Sequence, residues 1–279
     1  MSKLDMLYPA TAQALRWQIP AQEAEPVLAA LAPAGGVLAM LIGIDGNFYR
    51  PHGAMMAVTH EGVLVGNLSS GCIEGDLQAH AAEVWRSGRP KRLTYGKNSP
   101  YFDIRLPCGS GIDVALVPLR DTAVLRQALA GIALREEVAF ACADLPVVDL
   151  RPELQVFVVG TGPEAQAFAD LTRAGGFRVE QPPRIDPARL DARSAVALFF
   201  HDHEREVDLL QAALQSPAFW IGAQGSRRAQ ARRLEALRAH GVQERSLSRI
   251  RGPIGLIPAA KDPRVLAISV LADIVAAAQ

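Results

Sequence analysis

Two thiols in this chain sit in stretches of small residues. One is Cys72, in Asn67-Leu68-Ser69-Ser70-Gly71-Cys72-Ile73-Glu74-Gly75-Asp76, and the other is Cys108, in Leu106-Pro107-Cys108-Gly109-Ser110-Gly111. Ile73, Leu77, Ala81 and Val84 recur at helical spacing, which predicts an amphipathic helix over 72–86, ended by Gly88, with Cys72 in its first turn. The positive end of a helix favours a thiolate, the form of sulfur that binds metals or transfers sulfur. Glycine and serine around Cys108 let a ligand approach the backbone. The third thiol, Cys142, lies inside the apolar run 138–143 and reads as packing.

The second half has a different chemical signature. Gly160-Thr161-Gly162-Pro163-Glu164-Ala165 follows an apolar strand and opens a helical pattern, the G-x-G-x-x-A context of a phosphate-binding turn. A tight connection with nothing bound gives the same pattern. A ribose-binding acid belongs at the end of the next strand, about 20 residues on. There Glu180 comes early and Pro183 occupies the expected place, so NAD(P) is a weak expectation. His201-Asp202-His203 ends the run 195–200, where open α/β sheets place ligands, but a single H-x-H does not make a metal site. Gly222-Ala223-Gln224-Gly225-Ser226-Arg227-Arg228 offers a glycine loop, a capping serine and guanidiniums for an anion. A capped helix with a solvated basic face, including Arg232, Arg233 and Arg238, explains the same residues.

These groups need elements to position them. In the first half, strand-like runs at 37–44, 54–59, 63–67 and 112–117 are mixed with helical patterns at 72–86 and 122–134, which predicts an α+β domain. Prolines at 146 and 152 suggest a linker within 145–153, giving domains 1–150 and 151–279. Beyond it, strands at 156–159, 177–180, 195–200 and 219–221 alternate with helices at 164–174, 204–214, 226–240 and 262–277. That rhythm predicts a doubly wound parallel sheet. The chain has 279 residues, with 29 basic and 29 acidic side chains and 6% aromatics. This balance argues against a nucleic-acid or anionic-membrane binder. No run is apolar and long enough to span a bilayer, residues 1–13 lack a signal-peptide core, and three unpaired cysteines fit a reducing compartment. The expectation is a cytoplasmic protein.

Taken in order, several segments resemble the XdhC/CoxI family. They are Tyr49-Arg50-Pro51-His52-Gly53-Ala54-Met55-Met56, Ser70-Gly71-Cys72-Ile73-Glu74-Gly75-Asp76 and Cys108-Gly109-Ser110-Gly111-Ile112-Asp113, followed by the Gly160 turn and His201-Asp202-His203. The loop 221–228, Pro253-Ile254-Gly255-Leu256 and the closing segment 262–274 complete the likeness, which runs from about Gly35 to the C-terminus. The resemblance implies an accessory factor rather than a catalyst. Such a protein would hold the molybdenum cofactor (molybdopterin or its dinucleotide form), protect it while a cysteine desulfurase supplies sulfur, and deliver it to a xanthine dehydrogenase-type apo-enzyme. It also implies a Rossmann-like second domain and a homodimer. Under this resemblance Cys72 and Cys108 approach the molybdenum, Glu74 meets the pterin's amino donors and Arg50 pairs with a phosphate. Gly71, Gly160, Gly162, His201, Asp202, Ser226 and Arg227 complete the cofactor-binding set. Departures from the family pattern are Asn47 and Ser70 in the two loops, Pro183, and Arg264 with Val265 at the last helix. The alternatives are an NAD(P)-dependent oxidoreductase built on Gly160 and Gly162, and an adaptor that binds protein without cofactor.

Overall fold

Strand-forming runs in the first half leave polar residues at their ends, and these ends become the loops of interest. The structure is a computed structural model and describes residues 16–97, 99, 106, 108–143, 145–200 and 203–278. It divides into two compact units, 1–152 and 153–279. The first contains β1 (Arg16–Pro20), α1 (Ala21–Leu31), β2 (Gly36–Asp45), β3 (Met55–Thr59), β4 (Leu64–Gly66), α2 (Glu74–Ser87), β5 (Lys91–Gly96), β6 (Gly111–Leu119), α3 (Ala123–Ala133), β7 (Val138–Phe140) and β8 (Val147–Arg151).

An antiparallel sheet in the order β4-β3-β2-β6-β5 forms the middle layer. Side chains alternate across it, so Val37, Ala39 and Leu41 pack with Leu77, Ala81 and Val84 of α2. Leu38 and Met40 face the opposite way, into a core shared with α1, α3 and a small sheet ordered β1-β8-β7. Most of 145–153, where the prolines suggested a linker, is strand, and the division between the units falls at its end, between 152 and 153. Val148, Asp149 and Leu150 are buried in β8, the central strand of that small sheet, which pairs with β1 in parallel and β7 in antiparallel. The prolines that suggested a linker flank the strand instead of interrupting it, where they cost no ladder hydrogen bond.

The second unit contains β9 (Gln155–Val159), α4 (Pro163–Ala174), β10 (Arg178–Glu180), β11 (Ser194–Leu198), α5 (His203–Leu214), β12 (Trp220–Ala223), α6 (Arg227–Ala239), α7 (Glu244–Leu247), β13 (Ile250–Arg251) and α8 (Pro263–Ala277). Its sheet is wholly parallel, in the order β10-β9-β11-β12-β13. This is the doubly wound arrangement, with its switch point between β9 and β11. Phe157, Val196 and Ile221 face α5 and α6, whereas Val156, Ala195 and Trp220 face α4 and α8.

One ion pair in this unit lies where a solvated face was expected. Arg233, 2% exposed, is held by Glu206, with Nε to Oε2 at 3.0 Å and Nη2 to Oε1 at 3.1 Å. The same guanidinium donates to Gln230 Oε1 and to the carbonyl of Gln224 at 2.8 Å. Arg232 and Arg238 point outward, but Arg233 falls on the buried stripe of α6 with Gln230 and Leu237. Removing one partner leaves a buried charge uncompensated. Arg233→Ala or Glu206→Ala is expected to destabilise this unit by about 3–5 kcal/mol, read by urea unfolding, whereas the double change to Met and Leu loses much less.

Candidate functional site

Strand direction alternates along the first unit's antiparallel sheet, so β2, β4 and β5 end where β3 and β6 begin. The connections 46–54 and 67–73 therefore lie at one end of the sheet together with residues 108–110 just before β6, and they carry Arg50, Gly71, Cys72 and Cys108. Cys72 and Cys108 are both exposed. Cys142 is buried, which pushes its thiol up to about 11.

The Cys72 loop is shaped by Glu74. Its carboxylate accepts from the N–H groups of Leu68 (3.0 Å), Ser69 (2.7 Å), Gly71 (2.8 Å) and Ile73 (3.2 Å), and from the Ser69 hydroxyl (2.6 Å). Burial of the carboxylate opposes ionisation, but the bonds from Ser69 and the backbone outweigh it and hold the pKa below the ordinary glutamate value. The acid is thus spent on its own loop. Its acceptor sites are taken by the chain, which shapes the loop around Cys72. Gly71 likewise turns its N–H inward. Its φ of +105° and the +57° of Ser70 fold the chain tightly around the carboxylate.

This clamp also moves the helix start. α2 begins at Glu74 with Ile73 as N-cap, so Cys72 stands just before the helix instead of in its first turn. The negative charge at the helix N-terminus is that of Glu74, with Asp76 beside it, a favourable placement for an acid.

Cys108 has its own neighbour. Hydrogen bonding from the Ser110 side chain and backbone favours the thiolate and lowers its pKa. The Ser110 hydroxyl has one proton, which goes either to Cys108 or to the carbonyl of Asn47 within its reach, whereas the backbone N–H of Ser110 serves Cys108 in both cases. The Asn47 contact uses the backbone of that residue, not its side chain. Tyr49 hydroxyl donates to Ser70 Oγ at 2.9 Å. The single connection 46–54 is therefore tied to both thiol loops. Trp17 stacks on His52 with ring centroids 5.2 Å apart, which fixes that connection to β1. Arg50 pairs with Glu23 at 2.8 Å, and its buried Nε lacks a partner.

In the second unit the Gly160 turn sits at the switch point. A Cβ on Gly160 would lie 2.3 Å from the Phe199 carbonyl, so this glycine is required by close approach of the β11 chain. Gly162 has ordinary φ, and its notional Cβ would lie 3.1 Å from Glu164 Oε2. A carboxylate therefore stands at the α4 N-terminus, where a phosphate would bind. β10 ends at Glu180, so the acid occupies the strand end that the sequence pattern gave to Pro183. Its carboxylate is already paired with Arg178 at 3.4 Å and closely with Arg189. His201 and Asp202 lie outside the described residues, and His203 opens α5. Ser226 caps α6, accepting from Ala229 N–H at 3.2 Å, and Arg227 is exposed beside it.

Comparison with known proteins joins the two units in one lineage. Residues 30–96 match the XdhC and CoxI family, and residues 156–274 match the XdhC Rossmann domain. The chain is 36% identical over 270 residues to the molybdenum cofactor insertion chaperone PaoD of Escherichia coli (strain K12), covering 89% of this chain and 85% of that one. The chain belongs to the XdhC and CoxI family. Another protein of that strain, YqeB, described as uncharacterized, is 26% identical over 248 residues, which span 85% of this chain and 42% of YqeB. A crystal structure described as a xanthine dehydrogenase from Bacillus halodurans shares the fold, with a TM-score of 0.66 at 20% identity over 93% of this chain and 96% of that one.

Arg50, Gly71, Cys72 and Glu74 fall inside the first family match, while Cys108 lies beyond it. Sequence reasoning missed Ser110 as the partner of Cys108 and Tyr49 as the tie to Ser70. The signal was present in the Cys108-Gly109-Ser110 spacing, but the chain alone does not say which way a hydroxyl turns. Peptide-resolved iodoacetamide labelling across pH tests this arrangement. Cys108 is expected to react at lower pH than an ordinary thiol, and Ser110→Ala is expected to shift its profile upward, slowing labelling at pH 7 about two- to tenfold. Cys142 stays unlabelled until the chain unfolds.

Proposed function

We propose that this chain is a carrier for the molybdenum cofactor. It shelters the cofactor while a cysteine desulfurase provides the terminal sulfur, and passes it to an apo-enzyme of the xanthine dehydrogenase type. The observation that carries the reading is the pair of exposed thiols on loops at one sheet end, tied through the single connection 46–54. The name of the 36% identical relative, a molybdenum cofactor insertion chaperone, supports it.

The chemistry of the donors fits transfer. Soft thiolate sulfur suits a sulfur-accepting metal, and the hydrogen bonds to Cys108 favour its ionised form. Among the described residues no group of three His, Cys, Asp or Glu can hold a metal ion. A cargo metal met by a thiolate rather than a closed cage can be released to a partner. In this reading Cys108 and Cys72 approach the molybdenum, Glu74 keeps the Cys72 loop in shape, and Arg50, anchored by Glu23, pairs with a phosphate of the cargo. The Gly160 turn is left out, because Glu164 opposes an anion there and the close strand approach already explains Gly160. An NAD(P)-dependent oxidoreductase is less favoured, because Glu180, the acid at the end of β10, is already paired with Arg178 and Arg189. Among the described residues no helix is long and apolar enough to cross a membrane, which accords with delivery in the cytoplasm. A homodimer completes the proposal.

Release of fluorescent pterin after oxidation tests the reading on chain purified with a cofactor source. Wild type is expected to carry pterin, Cys72→Ala and Cys108→Ala to lose most of it, and Glu74→Gln to retain about a tenth through loosening of the loop. Equal and negligible pterin in wild type and variants would sink the carrier reading.

A further inference from the structure

A cavity of about 680 Å³ lies in the second unit, between the turn 224–227 after β12 and the connection 253–261 before α8. It is at the carboxyl end of the sheet but not at the switch point, since β11 separates β12 from β9. Its wall carries two cations, Arg227 and Lys261, and no carboxylate. Neither cation has an ion pair or side-chain hydrogen bond among the described residues. The nearby Asp262 is occupied by Arg264, whose hydrogen bonds hold its carboxyl down at about 2. The rest of the wall is largely apolar, with Ile254, Ile257 and Leu266 among its residues, and Ile257 is 46% exposed.

A third feature points to a ligand with its own donor. Gln224 lines the cavity, and its Oε1 is buried without a hydrogen-bond partner. An orphaned acceptor costs about 1–3 kcal/mol, so a small side-chain rotation toward a donor within the cavity is favoured. The backbone beneath it is rigid, because Arg233, buried with Glu206, holds the Gln224 carbonyl. Paired cations, an apolar wall and one waiting acceptor match three parts of one molecule: a phosphate, a flat ring and a ring N–H.

We propose that this cavity binds a phosphorylated nitrogen heterocycle. The phosphate sits between Arg227 and Lys261, the ring lies against Ile254 and Leu266, and a ring donor meets Gln224. A free nucleotide and a pterin phosphate of the cargo share this chemistry. The assignment rests on the cavity alone and goes beyond the thiol site.

Isothermal titration of cofactor-free full-length chain tests it, with nucleoside monophosphates, a pterin monophosphate and inorganic pyrophosphate as probes. The expected result is saturable binding of a nucleotide or the pterin phosphate with Kd below about 1 mM. Lys261→Ala, an exposed change that leaves the fold intact, is expected to weaken it about tenfold through loss of a charge-assisted contact. Gln224→Leu should weaken the heterocycle but not pyrophosphate. Preference among the probes identifies the source. Absence of saturation by every heterocyclic probe, pyrophosphate binding as tight as theirs, or indifference to both substitutions overturns the proposal. Because no cofactor is present in this titration, its failure leaves the thiol reading standing, and pterin loss in the cysteine variants leaves the cavity reading standing.

Discussion

The carboxylate of Glu74 is the contact on which the first unit's chemistry depends. Backbone N–H groups left at a helix start need acceptors, and those of a tight loop entering that helix need them as well. One side chain answers both needs, taking Leu68, Ser69, Gly71 and Ile73 together with the Ser69 hydroxyl. The loop then has no freedom to collapse over Cys72, and the thiol remains exposed. The pKa of Glu74 is lowered on folding, so its contribution to stability is complete above the ordinary carboxylate range and is lost as the pH falls through its folded value.

The second unit solves a related problem with buried charge. Arg233 and Glu206 neutralise each other inside the α5–α6 side of the sheet, and the leftover donor of Arg233 fixes the carbonyl of Gln224. The cost of desolvating the pair is tolerated because all three guanidinium nitrogens donate hydrogen bonds. Both devices put a charged group behind a strand-end loop and leave the front of the loop to solvent. In the first unit that front presents sulfur, and in the second it presents cations and an apolar wall.

Family membership and geometry carry different parts of the functional argument. The likeness to a cofactor insertion chaperone speaks to the kind of cargo, whereas the structure speaks to where the chain has spare donors. The Gly160 turn illustrates the difference. Its sequence has the form of a phosphate loop, yet Glu164 stands at the helix end and the Phe199 carbonyl explains Gly160 sterically. A motif of three small residues is satisfied by either cause, and only the neighbouring strand distinguishes them.

The sequence by itself determined the class of each unit and most of its elements, because hydrophobic period and turn residues act locally. α2 ending at Gly88, the Ser226 cap and the alternating strands and helices after β9 are all legible in this way. It also marked Cys72 and Cys108, since glycine and serine around a thiol are local facts. The strand β8 was not legible, because its place depends on pairing with β1 more than a hundred residues earlier. Nor was the burial of Arg233, since a charged residue enters a core only when its counter-charge arrives from another helix. The role of Glu74 was decided by backbone curvature that aims N–H groups at one point. Tertiary structure alone determined which donors and acceptors were already spent, because a hydrogen bond depends on where both partners lie and composition records only that they exist.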